Sequence, residues 1–163
     1  MNNGIVGLTP DRQWAVEGVA APYMPLAWPF VWPLLEPSIA VIEADLRPTP
    51  GEIAADIATG LKQLWLAWDM RGDSCDGAVL TEIRDGDESL SGVRECLLYA
   101  AGGRGVRRWI GWMSRLLRPW AAAQGCRMIV HGGRPGWSRI LGTEPIETDF
   151  HVGPLYGRPV LEH

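Results

Sequence analysis

Apolar positions in the middle of the chain predict three consecutive strands. Residues 63–69 are apolar at nearly every position, a pattern typical of a strand that is buried on both faces. Residues 78–84 and 93–101 follow as a second and a third strand, after turns rich in Gly and Asp at 71–77 and 85–87. Because tight turns join antiparallel neighbours, we expect a meander of three strands.

Local signals predict a helix just before this meander. Thr49 and Glu52 have the spacing of an N-terminal capping box, and Pro50 stands at the first helical position. Gly60 is a suitable residue to end the helix. We therefore expect a helix between these signals, and a short strand near residues 14–16 that precedes it.

The segment 19–35 contains 17 residues without a charge and four prolines. Because prolines remove backbone donors, we expect an irregular segment packed on the core and not a membrane span. An exposed docking surface is the alternative, and its aromatic side chains would be Tyr23, Trp28, Phe30 and Trp32. An apolar repeat over 34–44 predicts a helix, which Pro37 restricts to a start near Glu36.

A long amphipathic helix is predicted over residues 104–124. Its apolar side chains recur at helical spacing, and they are Val106, Trp109, Ile110, Met113, Leu117 and Trp120. A strand at 127–131, a short helix at 137–141 and one or two edge strands, at 146–152 and at 155–156, complete the pattern. Since a strand, a crossover helix and the next strand pair in parallel, the third and fourth strands should be parallel neighbours in an otherwise antiparallel sheet.

Length and composition indicate one globular domain. The chain has 163 residues, of which 47% are apolar and 21% are charged, and we expect a single domain over 1–160. We interpret residues 161–163 as an expression-tag remnant. The three cysteines are odd in number and lack the spacing of a zinc site, so no metal is expected. They and the absence of a signal-peptide pattern at the start favour a reducing, cytoplasmic compartment.

Charge is divided unevenly along the chain. Residues 1–90 carry a net charge of −9 and residues 91–163 a net charge of +5. The C-terminal half is therefore the expected place for an anionic ligand. The acidic balance of the whole chain favours a small phosphorylated molecule over a nucleic acid.

The junction after the third strand has the composition of a phosphate site. We call residues 102–108 the glycine–arginine loop: glycines let backbone amides approach a ligand, and Arg104, Arg107 and Arg108 surround the start of the long helix. Guanidinium groups match the geometry of phosphate. The alternative is a plain glycine turn with a solvated basic face.

Several short motifs resemble a known family. The order of elements over 30–152 resembles the GNAT N-acetyltransferase fold. The pairs Trp120–Ala121 and Gly125–Cys126, with the segment 133–137, resemble the small GNAT-like proteins of tailed bacteriophages. The resemblance implies an α/β fold with a mostly antiparallel sheet, a splayed parallel strand pair and helices on both faces.

The same resemblance implies acetyl-CoA as co-substrate, bound where the parallel strands separate. The cofactor-binding residues would be Leu98, Ala100, Gly102, Gly103, Arg104, Gly105, Val106, Arg107 and Arg108. Ala100 stands where the family loop has Arg or Gln.

Catalysis in this family implies a base and often an acid. Glu95 is the predicted base and Glu82 the second choice, while the acid would be Tyr99, Tyr156 or neither. His131 is interpreted as a hydrogen-bonded structural residue, with a base near the cofactor as the alternative.

Two functions stay open at this point. One is an N-acetyltransferase that acts on an unknown amine, either a small molecule or a protein. The other is a catalytically silent GNAT-fold phage protein that acts in virion assembly or on a host protein, in the host cytoplasm or on the virion. A homodimer is compatible with both, and no membrane partner is expected.

Overall fold

The computed structural model describes residues 6–133, 135–147 and 154–161, and these form one mixed sheet flanked by helices. The strands are β1 Val6–Leu8, β2 Trp14–Gly18, β3 Lys62–Asp69, β4 Ser74–Arg84, β5 Glu95–Gly103, β6 Met128–Gly132, β7 Glu144–Ile146 and β8 Leu155–Pro159. The helices are α1 Met24–Ile39, α2 Pro50–Thr59, α3 Val106–Ala123 and α4 Pro135–Leu141. The strand order is β1-β2-β3-β4-β5-β6-β8-β7.

Strands β3, β4 and β5 form the predicted antiparallel meander, in which β3 and β4 begin earlier than expected and β5 is shifted two residues toward the C-terminus. β4 begins at Ser74, so Asp76 and Gly77, which we predicted as a turn, lie inside the strand. β5 extends through Gly102 and Gly103, which were expected to belong to the loop. A β-carbon on Gly102 would overlap the carbonyl oxygen of Leu34 on α1, so this glycine lets a helix backbone lie directly against the strand.

The prediction for residues 19–35 was wrong in its local structure. A short 3-10 helix over Ala21–Tyr23 leads into α1, which continues to Ile39, so the helix predicted from Glu36 is only its last turn. The prolines of α1 lie exactly four residues apart and are all exposed: Pro25, Pro29, Pro33 and Pro37. Because residues four apart share one side of a helix, the missing N–H groups fall on a single solvent-facing stripe.

The opposite side of α1 packs on the core, as expected for this segment. Met24, Ala27, Val31, Leu35 and Ile39 are buried against residues of α2, β3 and β4. Trp28 and Trp32 are half-buried beside this cluster, whereas Tyr23 and Phe30 are exposed. The segment is therefore anchored by its aliphatic side chains, and the predicted aromatic surface is divided between core and solvent.

The other predicted elements are confirmed with small shifts. The Thr49 hydroxyl accepts a hydrogen bond from the Glu52 amide at 3.1 Å, and Gly60 ends α2 with φ +85°. α3 buries its predicted stripe on the other face of the sheet, around Trp65 and Trp109. β1 was not predicted, and much of the predicted edge strand at 146–152 lies outside the described residues. None of the described helices is long and apolar enough to cross a membrane.

Candidate active site

β5 and β6 are parallel neighbours over three residue pairs only. Glu95, Cys96 and Leu97 pair with residues 128–130, as the crossover rule predicted. β6 pairs with β8 along its whole length, whereas beyond Leu97 β5 continues to Gly103 beside β4 alone. Because the two strands share no further ladder, a gap opens between them from Leu98 onward. We call this gap the strand gap.

A β-bulge lies at the opening of the strand gap. Thr81 of β4 pairs with Leu98 and Leu80 pairs with Ala100, so Tyr99 is an extra residue in β5. A bulge interrupts the regular ladder and changes the direction of the adjacent backbone groups. The irregularity therefore falls at the start of the unpaired edge, where backbone amides can meet a ligand.

Helix α1 closes the strand gap on one side. The Ser38 hydroxyl accepts a hydrogen bond from the Ala101 amide at 3.4 Å, one step from where Gly102 contacts the backbone at Leu34. The sequence carried no signal for Ser38, because this contact joins residues 63 positions apart. The helix thus fixes the part of β5 that leads to the glycine–arginine loop.

The glycine–arginine loop turns sharply against β4. Gly103 has φ +135°, and a β-carbon there would overlap the carbonyl oxygen of Asp76. That same oxygen accepts a hydrogen bond from the Arg104 amide at 2.6 Å. Gly105, with φ +60°, stands at the N-cap of α3 and provides no side-chain cap. The Arg108 amide donates to the Gly105 carbonyl oxygen at 2.8 Å, so the amides of Val106 and Arg107 are left to bind water or an anion.

Positive charge surrounds this helix start. The Arg104 side chain is 74% exposed, and its guanidinium lies 3.7 Å from the Asp76 carboxylate. Arg107 and Arg108 are exposed, and Arg108 lies 5.9 Å above the ring of Trp14. Together with the helix dipole, these groups form a site suited to phosphate.

The other predicted cofactor residues lie on both faces of the sheet. Ala100 is buried under α1, whereas Leu98 and Val106 are half-buried toward α3. Gly103, Arg104 and Gly105 follow one another at the end of β5, and the three apolar residues are divided between the two faces of the sheet.

A charged cluster around the buried Lys62 lies beside Tyr99 on the α2 side. Lys62 Nζ is 2.7 Å from Asp56 and 3.6 Å from Glu82, and it lies 4.6 Å above the Tyr99 ring. Burial would lower the pKa of Lys62, but its hydrogen bond to Asp56 and the charge of Glu82 outweigh burial and raise that pKa. Glu82 also pairs with Arg84 at 2.8 Å. This cluster was not predicted.

Tyr99 is the predicted acid, and it is half-buried at the bulge. Burial raises the pKa of its phenol, and the nearby Lys62 ammonium only partly opposes that effect. The phenol makes no hydrogen bond within the described part of the chain. It therefore keeps its proton at neutral pH and has that proton available for transfer.

Glu95, the predicted base, is fully buried in the paired part of β5. Its Oε1 accepts hydrogen bonds from the amides of Leu90 and Ser91, at 2.8 and 2.7 Å, and from the Ser91 hydroxyl at 2.7 Å. This geometry fixes the loop before β5. The catalytic assignment of Glu95 stays a prediction.

The variant Glu95→Gln distinguishes a structural role of this carboxylate from a catalytic role. We expect the free energy of unfolding to fall by about 1–2 kcal/mol, because Gln keeps an acceptor oxygen for the three donors but a neutral amide accepts more weakly than a carboxylate. Urea denaturation measures this change, and Ser91→Ala is the matched control that removes only one donor. A variant of unchanged stability with a reduced rate would instead assign Glu95 as the base.

His131 forms the hydrogen bonds of a structural residue. Nε2 lies 2.6 Å from the Thr143 hydroxyl and Nδ1 lies 2.9 Å from the carbonyl oxygen of Gly132. Burial lowers the pKa of His131, so the imidazole is neutral near pH 7. Its ring stacks on Tyr156, which is itself buried.

The cysteines are held as thiols by their surroundings. Burial raises the pKa of Cys75 to about 11 and also raises the pKa of Cys96 and Cys126. Across the described residues, no group of three or more His, Cys, Asp or Glu is arranged to hold a metal ion.

Comparison with known proteins places this architecture in the GNAT acetyltransferase fold. No family model and no curated protein matches the sequence. The GNAT domain of PAT from S. lividans is similar in structure, with a TM-score of 0.63, 11% identity and coverage of 95% of this chain and 96% of that domain. Escherichia coli YhbS in complex with CoA has a TM-score of 0.60, 16% identity and coverage of 95% and 86%.

A eukaryotic enzyme has the same fold. Drosophila melanogaster polyamine N-acetyltransferase, which forms N-acetylagmatine, has a TM-score of 0.60, 11% identity and coverage of 90% of this chain and 99% of that enzyme. The mixed sheet, its single parallel pair among the described strands and the helices on both faces agree with these neighbours.

Proposed function

We propose that the protein transfers an acetyl group from acetyl-CoA to an amine. The observation that carries the proposal is the strand gap itself, which has the Tyr99 bulge at one end and the glycine–arginine loop at the other. Solved neighbours of the same fold hold acetyl-CoA or CoA, which supports this ligand.

Each part of the co-substrate has a matching surface. The pyrophosphate would bind the amides that begin α3, together with Arg104 and Arg107. The pantetheine arm would extend along the unpaired edge of β5 toward Tyr99. Backbone amides at the bulge would polarise the thioester carbonyl as negative charge develops on its oxygen.

The chemical step requires two proton movements. The amine nitrogen attacks the thioester carbon, a C–N bond forms, and the C–S bond breaks as the tetrahedral intermediate collapses. Tyr99 donates its proton to the departing sulfur, and the proton released by the amine returns to the phenolate through water. Lys62 stabilises the phenolate between these events, since its ammonium lies over the ring.

Calorimetry with acetyl-CoA tests the binding site. We expect Arg104→Glu with Arg107→Glu to weaken binding by about tenfold or more, because hydrogen bonds to charged groups contribute about 1.5–3 kcal/mol each. Arg71→Glu with Arg127→Glu is the control. These substitutions make the same change in net charge at two exposed arginines outside the glycine–arginine loop. Equal affinity in both double variants would place the site elsewhere.

A second candidate is a GNAT-fold protein without the chemistry. It is favoured by α4, whose residues 135–141 contain no Tyr, and by Ala100 at the position of the family Arg or Gln. A role in phage assembly or on a host protein stays a prediction. Failure of the wild-type protein to bind acetyl-CoA would support this candidate.

A further inference from the structure

Five arginines line a surface hollow on the outer side of α3. The hollow has a volume of about 570 Å³ and lies between α3, the turn after β1 and the end of α4. We call it the arginine hollow, and its arginines are Arg108, Arg115, Arg118, Arg139 and Arg158. The proposed acetyl transfer uses the start of α3 and does not account for the arginines farther along the chain.

Negative charge in the arginine hollow comes from Asp11 alone among its described lining residues. The Asp11 carboxylate accepts hydrogen bonds from the Thr9 hydroxyl at 2.6 Å and the Gln13 amide at 3.0 Å, and these bonds lower its pKa. Within the described chain, no carboxylate lies at ion-pair distance from Arg115 or Arg139. Arg115 and Arg139 thus place positive charge in the hollow of a protein whose net charge is −4.

Trp112 gives the arginine hollow an aromatic wall. The Arg115 guanidinium lies 4.9 Å from the centre of its ring, so the two planar groups line one side together. Trp112 Nε1 is buried and has no hydrogen-bond acceptor among the described residues. A ligand in the hollow could not reach this buried nitrogen, so the contribution of Trp112 is its ring surface beside Arg115.

We propose that the arginine hollow binds the phosphate groups of a small phosphorylated molecule. Guanidinium groups bind phosphate oxygens in pairs, and the volume is within the range of small-molecule sites. The concave shape and the acidic balance of the chain favour such a ligand over the extended backbone of a nucleic acid. This binding does not depend on the acetyl transfer proposed above.

Titration calorimetry with inorganic tripolyphosphate tests the inference without the coenzyme. We expect two equivalents to bind the wild-type protein. Arg115→Glu with Arg139→Glu should remove one, and Arg104→Glu with Arg107→Glu should remove the other. A single equivalent that survives the change at Arg115 and Arg139, or no binding at all, would overturn the proposal.

Asp11→Asn should increase the affinity of the hollow for tripolyphosphate, whereas the arginine variants decrease it. It keeps an acceptor oxygen for Thr9 and Gln13 while removing the negative charge, so tripolyphosphate should bind the arginine hollow about threefold to tenfold more tightly. Damage to the fold could not produce this gain. Unchanged or weaker binding would contradict the proposed site.

Two sources could supply the phosphate: the 3′-phosphate of bound CoA or a separate molecule. If CoA supplies it, Arg115→Gln with Arg139→Gln should weaken the binding of CoA at least fivefold and leave that of dephospho-CoA unchanged. If the ligand is separate, tripolyphosphate should still bind the hollow at saturating CoA. This comparison rests on the proposed function, as does the second equivalent of tripolyphosphate at the glycine–arginine loop, whereas the equivalent lost with Arg115 and Arg139 does not. Loss of CoA binding would leave the tripolyphosphate result intact.

Discussion

Replacing Gly103 with alanine should abolish measurable acetyl-CoA binding and reduce the free energy of unfolding by about 2–5 kcal/mol. Two effects combine at this residue. Its φ of +135° disfavours any residue with a side chain, and a β-carbon would overlap Asp76 and Gly77 of β4. Relief of that overlap must move the glycine–arginine loop, and the amides at the start of α3 move with it.

Gly86→Ala is the matched control for this change. Gly86 also has positive φ, +55°, but a β-carbon there would have no atom within 4 Å. We expect this variant to lose only about 1 kcal/mol, from backbone strain. Urea denaturation measures both stabilities and calorimetry measures acetyl-CoA affinity. Equal losses of stability and of acetyl-CoA affinity in the two variants would show that close contact with β4 does not hold the loop.

Replacing Tyr99 with phenylalanine should reduce kcat by about 10²–10⁴ while leaving the affinity for acetyl-CoA nearly unchanged. The hydroxyl is removed without loss of the ring that packs between α1 and the β6 side of the sheet. Release of CoA thiol from acetyl-CoA, measured with a panel of primary amines, provides the rate.

The pH profile distinguishes catalysis from structure. Because burial raises the pKa of Tyr99, the acid form persists at neutral pH, and activity should fall only as the phenol ionises in strongly alkaline solution. Tyr99→Phe should eliminate this alkaline limb. Tyr156 is the other tyrosine predicted as the acid. Tyr156→Phe should keep both the wild-type kcat and the loss of activity at alkaline pH. The reverse result would transfer the role to Tyr156.

Local signals explain which helices could be predicted. α2 is specified by Thr49, Pro50 and Gly60, which act within the helix or beside it, and the prediction was confirmed. α1 was missed because each proline was treated as an independent helix breaker. Their spacing of four places every lost donor on the solvent side, and the buried residues from Ala27 to Ile39 repeat with the same spacing.

Predictions at the site were limited by contacts between distant residues. The meander and the parallel pair followed from alternation and chain connectivity, and the separation of the two parallel strands was implied by the family resemblance. The bulge at Tyr99 depends on the register with β4, which no local pattern encodes. Likewise, Gly102 was predicted as a loop residue. Its absence of a side chain instead allows contact with the backbone of Leu34, which lies 68 positions earlier in the sequence and gives no local signal.

The short parallel ladder between β5 and β6 has a mechanical consequence. Only three residue pairs form the ladder between strands β1–β5 and strands β6–β8, so few backbone hydrogen bonds hold these two plates of the sheet together. A ligand in the strand gap would contact both plates and supply the cohesion that the missing ladder does not. By mass action, such a ligand at a hundred times its Kd would stabilise the folded chain by about 2.7 kcal/mol. Co-substrate supply would thereby set how long the two plates resist separation and proteolysis.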